Sequence, residues 1–193
     1  GALYRLLTIA ASRRKVGTND VTALSMLAEH MDIRFITSPD GHFKALLEEE
    51  DVTDEMRTEN TGVHASKIAA YNEVRGALLK RQRSFAYGEG LIADGRDMGT
   101  VVFPEADLKI YLTASIDERA NRRYKELIEK GEDVSLRALA EQVRARDERD
   151  MNREVSPLVA AEDAIELDSS LMNAKEVLET VLHIIDFKGL VSF

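Results

Sequence analysis

An arginine and an aspartate stand side by side at Arg96-Asp97, flanked by Gly95 and Gly99, in the stretch Ala93-Asp-Gly-Arg-Asp-Met-Gly-Thr-Val-Val-Phe-Pro104. The guanidinium is a planar fork of N–H donors suited to phosphate, and the carboxylate is an acceptor suited to a base or a sugar. A short apolar run, Leu91-Ile92-Ala93, precedes the pair, and a clear strand, Leu108 to Leu112, follows it. The pair is therefore expected just past the end of a buried strand, where open α/β sheets place ligand contacts. A solvated turn has the same Gly-x-x-x-Gly composition, so this stretch alone leaves both readings open.

Two further sets of side chains have useful spacing. Arg146, Asp150 and Arg153 fall at i, i+4 and i+7 of an expected helix near 140–153, on one face, with Arg149 beside them. Arg119, Arg122 and Arg123 form a stripe on the helix before it. Solvated ion pairs with Glu118, Asp147 and Glu148 would account for one such helix and contribute little energy. Two arginine stripes on a helical hairpin also suit a lid that grips phosphate, neutralises a transferring phosphoryl group and excludes water. Tyr4-Arg5 could line a pocket and hold a phosphate. Ser66 and Arg75 lie on a long helix, nine residues and about two and a half turns apart, so they need not share a face. Lys80-Arg-Gln-Arg83 reads as a solvated helix end.

The elements that must position these residues follow from the pattern. Ala2–Arg14 is a helix with Leu3, Leu6, Leu7 and Ala10 on one face. Asp20 can cap a second helix to about His30. Ile33–Thr37 and His42–Leu46 flank Ser38-Pro-Asp-Gly41, a hairpin turn in which Pro sets φ and Gly accepts positive φ. Glu48–Asp51 is an acidic rim, a poor phosphate contact, and Val52–Thr58 is expected to add a third short strand. Thr61 to about Ala86 reads as one long helix. Strand Leu108–Thr113 runs into Ser115-Ile-Asp-Glu118, a capping box for a helix that ends near Lys130-Gly131. Ser135 can cap the next helix, which runs to about Met151. Ala164–Asp168 is a short strand and Asn173–Asp186 a closing amphipathic helix.

Composition narrows the functional classes. The 193 residues suit one domain with a small inserted lobe. There is no Cys, so no disulfide framework or thiolate metal site, and the four His (His30, His42, His64, His183) have no metal-ligand spacing. No metal-ligating residue is expected. No apolar run reaches membrane-spanning length and no signal peptide opens the chain. A net charge of −9 argues against a general nucleic-acid binder, though not against a basic pocket.

Taken in order, Gly1-Ala-Leu-Tyr-Arg5, the hairpin insert around 33–58, Ala65-Ser-Lys-Ile-Ala69 with Val74-Arg75, Gly95-Arg-Asp-Met-Gly-Thr-Val-Val-Phe-Pro104 and Arg146-Asp-Glu-Arg-Asp-Met-Asn-Arg153 closely resemble bacterial cytidylate kinases, nucleoside-monophosphate kinases. The resemblance covers essentially the whole chain. It implies a P-loop nucleoside-monophosphate kinase fold: α/β, a parallel sheet flanked by helices, a small antiparallel-sheet insert and a helical lid. Residues 1–32, 87–118 and 154–193 would form the core, 33–86 the monophosphate-binding lobe and 119–153 the lid. The implied reaction is transfer of the γ-phosphoryl group of ATP, with Mg²⁺, to CMP or dCMP. By the same resemblance, Ser66, Arg75 and Asp97 read the cytosine edge, where an acceptor-only carboxylate suits the exocyclic amino group and disfavours uracil's carbonyl. Arg5, Arg96 and Arg153 grip the monophosphate, beside Tyr4, and Arg146 and Asp150 contact the sugar. Arg119, Arg122 and Arg123 belong to the lid over the ATP phosphates. Arg96, Arg153, Arg122 and Arg123 are the expected catalytic set, acting by alignment and charge neutralisation. A cytoplasmic monomer is expected, with CMP and dCMP as partners and neither nucleic acid nor membrane.

One family feature does not occur: the chain contains no G-x-x-x-x-G-K-[ST] phosphate-binding loop. The family's first strand, loop, helix and second strand precede the point where Gly1 aligns, and the first strand is central to its five-stranded sheet. Only three strands of that parallel sheet are expected here, near 91–94, 108–113 and 164–168. Three explanations are open: an N-terminal segment outside this sequence, an artificially shortened protein, or a naturally shortened, inactive CMP-binding relative.

Overall fold

Helix α1 (Ala2–Arg13) is buried on more than one face: Tyr4, Ile9 and Ala11 join Leu3, Leu6, Leu7 and Ala10 in the core. An apolar face wider than an ordinary amphipathic stripe marks a helix packed against several elements. In the computed structural model, which describes residues 1–37, 41, 43–88 and 90–190, α1 packs against three of its neighbours. The chain divides into two units, Gly1–Met98 with Asn152–Pro157, and Gly99–Met151 with the chain from Leu158 onward.

In the first unit, Asp20 caps α2 (Val21–His30) by accepting from the Ala23 N–H. Strands β1 (Ile33–Thr37) and β2 (Phe43–Leu47) pair antiparallel from Ile33↔Leu47 to Thr37↔Phe43. This is the expected hairpin; its turn residues 38–40 and His42 lie outside the described residues. The third strand is not Val52–Thr58. It is β3 (Glu50–Asp51), paired with Leu46–Leu47, and Thr53–Arg57 form a helical turn, α3. Asp54 and Glu55 in its first turn favour a helix start. The Asp51 carboxylate accepts from the Thr53 N–H, which ends the strand there. The acidic rim is ion-paired: Arg14, Arg34 and Arg13 reach Glu48, Glu49 and Glu50.

The expected long helix is two helices, α4 (Glu59–Ile68) and α5 (Asn72–Ser84). Tyr71 is extended between them. Arg81 is not at a solvated end either: its guanidinium donates to the carbonyls of Met31 (2.6 Å) and Glu29 (3.3 Å) at the C-terminus of α2. A cation there satisfies orphan carbonyls and complements the helix dipole.

Leu91–Ala93 form no strand. Ile92 is 98% exposed, and a parallel strand exists only as part of a ladder, which these residues do not join among the described residues. A wide helical turn, Met98–Val102, follows the Arg96-Asp97 motif.

In the second unit, β4 (Ile110–Thr113) and β5 (Ile165–Asp168) pair in parallel, Ile110↔Ile165 through Thr113↔Asp168. Between them run α6 (Ile116–Glu129), capped by Ser115, and α7 (Leu136–Asn152). Gly131, at φ +79, ends α6 as expected. A capping box of Asn173 and Glu176 opens α8 (Ala174–Phe187). No described helix is long and apolar enough to cross a membrane.

Candidate functional site

The break between α4 and α5 positions Arg75. The end of α4 leaves the Ala69 carbonyl without a helical partner, and Arg75 Nη1 donates to it at 2.8 Å. Nη2 donates to Asp97 Oδ2, and Nε to Ser156 Oγ at 3.0 Å. The guanidinium carbon lies 5.6 Å from the centre of the Tyr4 ring, within cation–π range. Arg75 is only 9% exposed and Asp97 only 5%. An ion pair so buried stabilises little compared with apolar residues of similar volume, because desolvation offsets the attraction. Buried, convergent polar groups of this kind are what a small-molecule site requires.

Tyr4 reports the same cluster. Burial pushes its phenol above the usual value of 10.0, Arg75 and Arg153 pull it down, and Asp97 pushes it up. A raised folded-state pKa means that the unfolded phenol ionises first, so stability is full below pH 10.0 and falls as pH rises beyond it. Tyr4→Phe keeps the ring over Arg75 and removes this titration. Urea unfolding of the two proteins between pH 8 and 11 is expected to show a shallower alkaline loss for the variant; parallel curves would exclude the Tyr4 contribution.

Arg5 is held along the protein surface of the same unit. Its Nη1 donates to the carbonyls of Met56 (2.8 Å) and Thr58 (3.2 Å). A Cβ on Gly62 would stand 2.8 Å from Arg5 Nη2, so glycine is what lets the guanidinium lie against α4. Arg5, Arg96, Asp94 and Asp97 all act electrostatically on the Gly1 nitrogen. Ser66 is half-buried in the last turns of α4, on a different helix from Arg75.

Arg153 departs from its expected position. Helix α7 ends at Asn152, so Arg153 lies just past it and does not continue the face of Arg146 and Asp150. Its Nε donates to the Ser156 carbonyl at 2.6 Å, within a tight turn where Ser156 has φ +47. Ser156 thus binds two of the expected site arginines, Arg75 through its hydroxyl and Arg153 through its backbone. Sequence reasoning passed over it, and over the Met56 and Thr58 carbonyls. Ser-Pro at 156–157 is a turn signal that could have pointed to it.

In the second unit, Arg146 and Asp150 form the expected i, i+4 pair at 3.8 Å, with Asp150 buried. The lid arginines are engaged in the same unit. Arg119 holds Asp147 through two N–H groups, which raises its already high pKa, and donates to the Ala114 carbonyl at 3.0 Å. Arg122 pairs with Glu118 and reaches the carbonyls of Ser169 (2.5 Å) and Met172 (3.1 Å). Arg123 pairs with Glu126. A phosphate in reach of this stripe would have to exchange for these partners.

A family model for cytidylate kinase matches residues 1–187. A protein named cytidylate kinase from Pseudomonas paraeruginosa is 53% identical over 190 residues, covering 98% of this chain and 83% of that protein. One of the same name from Stutzerimonas stutzeri is 54% identical over 183 residues, covering 94% of this chain and 80% of that protein. A third, from Colwellia psychrerythraea, is 50% identical over 182 residues.

Proposed function

We propose that this chain, which belongs to the cytidylate kinase family and is by that membership a phosphotransferase acting on nucleoside monophosphates, transfers the γ-phosphoryl group of ATP to CMP or dCMP. The buried Arg75–Asp97 pair carries the choice of base. Asp97 accepts from the exocyclic amino group of cytosine, Arg75 donates to the ring's acceptors, and Ser66 completes the edge. Uracil would put a carbonyl against the carboxylate and leave a buried polar group unpaired, which discriminates strongly.

In this reading Arg5, Arg96 and Arg153 hold the monophosphate and Tyr4 lines it. Arg146 and Asp150 take the sugar hydroxyls, a donor and an acceptor one turn apart on α7. Arg119, Arg122 and Arg123 contact the ATP phosphates, with residues 119–153 as the lid and 33–86 as the monophosphate lobe. The chemistry asks for alignment of acceptor oxygen and donor phosphorus, and for neutralisation of charge on the transferred group by Arg96, Arg153, Arg122 and Arg123. Among the described residues no three His, Cys, Asp or Glu gather as ligands. These residues therefore do not by themselves fit Mg²⁺, a cation that is bound largely by substrate phosphates and water in such reactions. A reading as an inactive binding fragment is not favoured, since the named kinases match 94–98% of the chain.

Substrate competition tests the proposal. The full-length protein, given equimolar CMP, UMP and AMP with ATP and Mg²⁺, is expected to phosphorylate CMP first. Equal turnover of CMP and AMP would sink it.

A further inference from the structure

We infer that Ser156 is a positioning residue for base selectivity: its hydroxyl fixes the plane of the Arg75 guanidinium against Asp97. The inference rests on the proposed reading of Arg75 and Asp97 as the base-contacting pair and goes beyond it, because Ser156 is assigned to act through Arg75 rather than on the base.

Three observations carry it. Arg75 Nε, the inner nitrogen of the guanidinium, donates to Ser156 Oγ at 3.0 Å across 81 residues of sequence. Two points fix a line and three fix a plane. With Nη1 on the Ala69 carbonyl and Nη2 on Asp97, the Ser156 hydroxyl is the third anchor. Without it, the tilt of the guanidinium rests on those two partners, its own side-chain stem and the Tyr4 ring. Second, Ser156 adopts φ +47, a left-handed conformation that side chains other than glycine rarely take. Such geometry is retained where the surroundings enforce it, and it clusters at ligand sites. Third, the carbonyl of the same residue accepts from Arg153 Nε at 2.6 Å. A rotation of Ser156 would therefore disturb both arginines. The two holds differ chemically: the one on Arg75 is made by the side chain and can be removed alone, while the one on Arg153 is made by the backbone and survives substitution.

The test uses the full-length protein and calorimetric titration of CMP, UMP and cytidine into wild type, S156A, S156G and D97A, with the Tm of each recorded. Both serine variants delete the hydroxyl and keep the carbonyl; glycine also relieves the positive φ. Loss of a hydrogen bond to a charged group predicts a fall of about 10-fold in the CMP-over-UMP affinity ratio for S156A and S156G alike. The CMP-over-cytidine ratio, which reads the phosphate grip, is expected to stay within about 2-fold, since that hold is backbone. A wild-type CMP-over-UMP ratio in S156A would overturn the inference. So would a ratio lost in S156A but restored in S156G, which would assign the effect to backbone strain. A wild type without base preference, or a D97A that keeps it, would instead reject the reading of Arg75 and Asp97, and the inference with it.

Discussion

Asp97→Ala is expected to abolish efficient use of CMP while leaving ATP binding intact. Asp97 is 5% exposed and holds the equally buried Arg75. Its removal has two consequences that can be separated. The first is structural: an uncompensated guanidinium stays in the interior, which costs about 3–5 kcal/mol in comparable buried pairs. For a protein of ordinary stability that is a large share of the total. The second is functional: the acceptor for the exocyclic amino group is gone, and a fall in kcat/KM for CMP of roughly 100-fold or more follows from a lost charged hydrogen bond plus an arginine free to turn. Asp97→Asn separates them. It is isosteric and keeps one acceptor oxygen for Arg75 but not the countercharge, so it should restore part of the Tm. It also brings an amide donor, so CMP use should stay low. Equal damage to CMP use and ATP affinity in a folded Asp97→Ala protein would mean that Asp97 does not read the base.

The pair at 96–97 was legible in the residues themselves, whereas its partner Arg75 was legible only through the family resemblance. Gly95-Arg-Asp-Met-Gly99 could be singled out because charge beside glycine after an apolar run is a local pattern. That Arg75 reaches Asp97 depends on the turn at Ala69–Tyr71, and Ala-Ala-Tyr contains no helix breaker. The break is tertiary: Arg75 takes the Ala69 carbonyl, which is possible only if the ladder stops there. The same limit explains the strand expected at Leu91–Ala93. An apolar run states that a segment suits burial, not which neighbour supplies the ladder. It explains Arg81 as well, since a basic run at a helix end looks solvated until the carbonyls of another helix are set against it. By contrast, the caps at Asp20, Ser115 and Ser135 were legible, because a cap closes within three residues. Helix periodicity misled at Arg153 as well as over 61–86. It put Arg153 on the face of Arg146 and Asp150, whereas α7 stops one residue short of it.

That stop gives Arg153 a role different from its helical neighbours, and its replacement is the second large effect expected. Past the helix end, the side chain donates from Nε to the Ser156 carbonyl at 2.6 Å. Holding the inner nitrogen sets the direction of the planar fork beyond it, the part of the side chain that matches phosphate bidentately. Arg153 and Arg75 both donate to Ser156, and Arg75 holds Asp97, so Arg153 lies in the same cluster as that pair. Arg153→Ala is expected to weaken CMP binding by about 10- to 150-fold, the equivalent of one charge-assisted hydrogen bond. The loss should be confined to the phosphate: cytidine, which has none, should bind wild type and variant within about 3-fold of each other. Arg153→Lys keeps the charge but not the fork, and should recover part of the affinity, since a point charge still attracts phosphate. Titrating CMP and cytidine into the three proteins distinguishes the possibilities. Unchanged CMP affinity in Arg153→Ala rejects the phosphate role, and an equal loss for cytidine would instead make Arg153 a strut for the turn that carries Ser156.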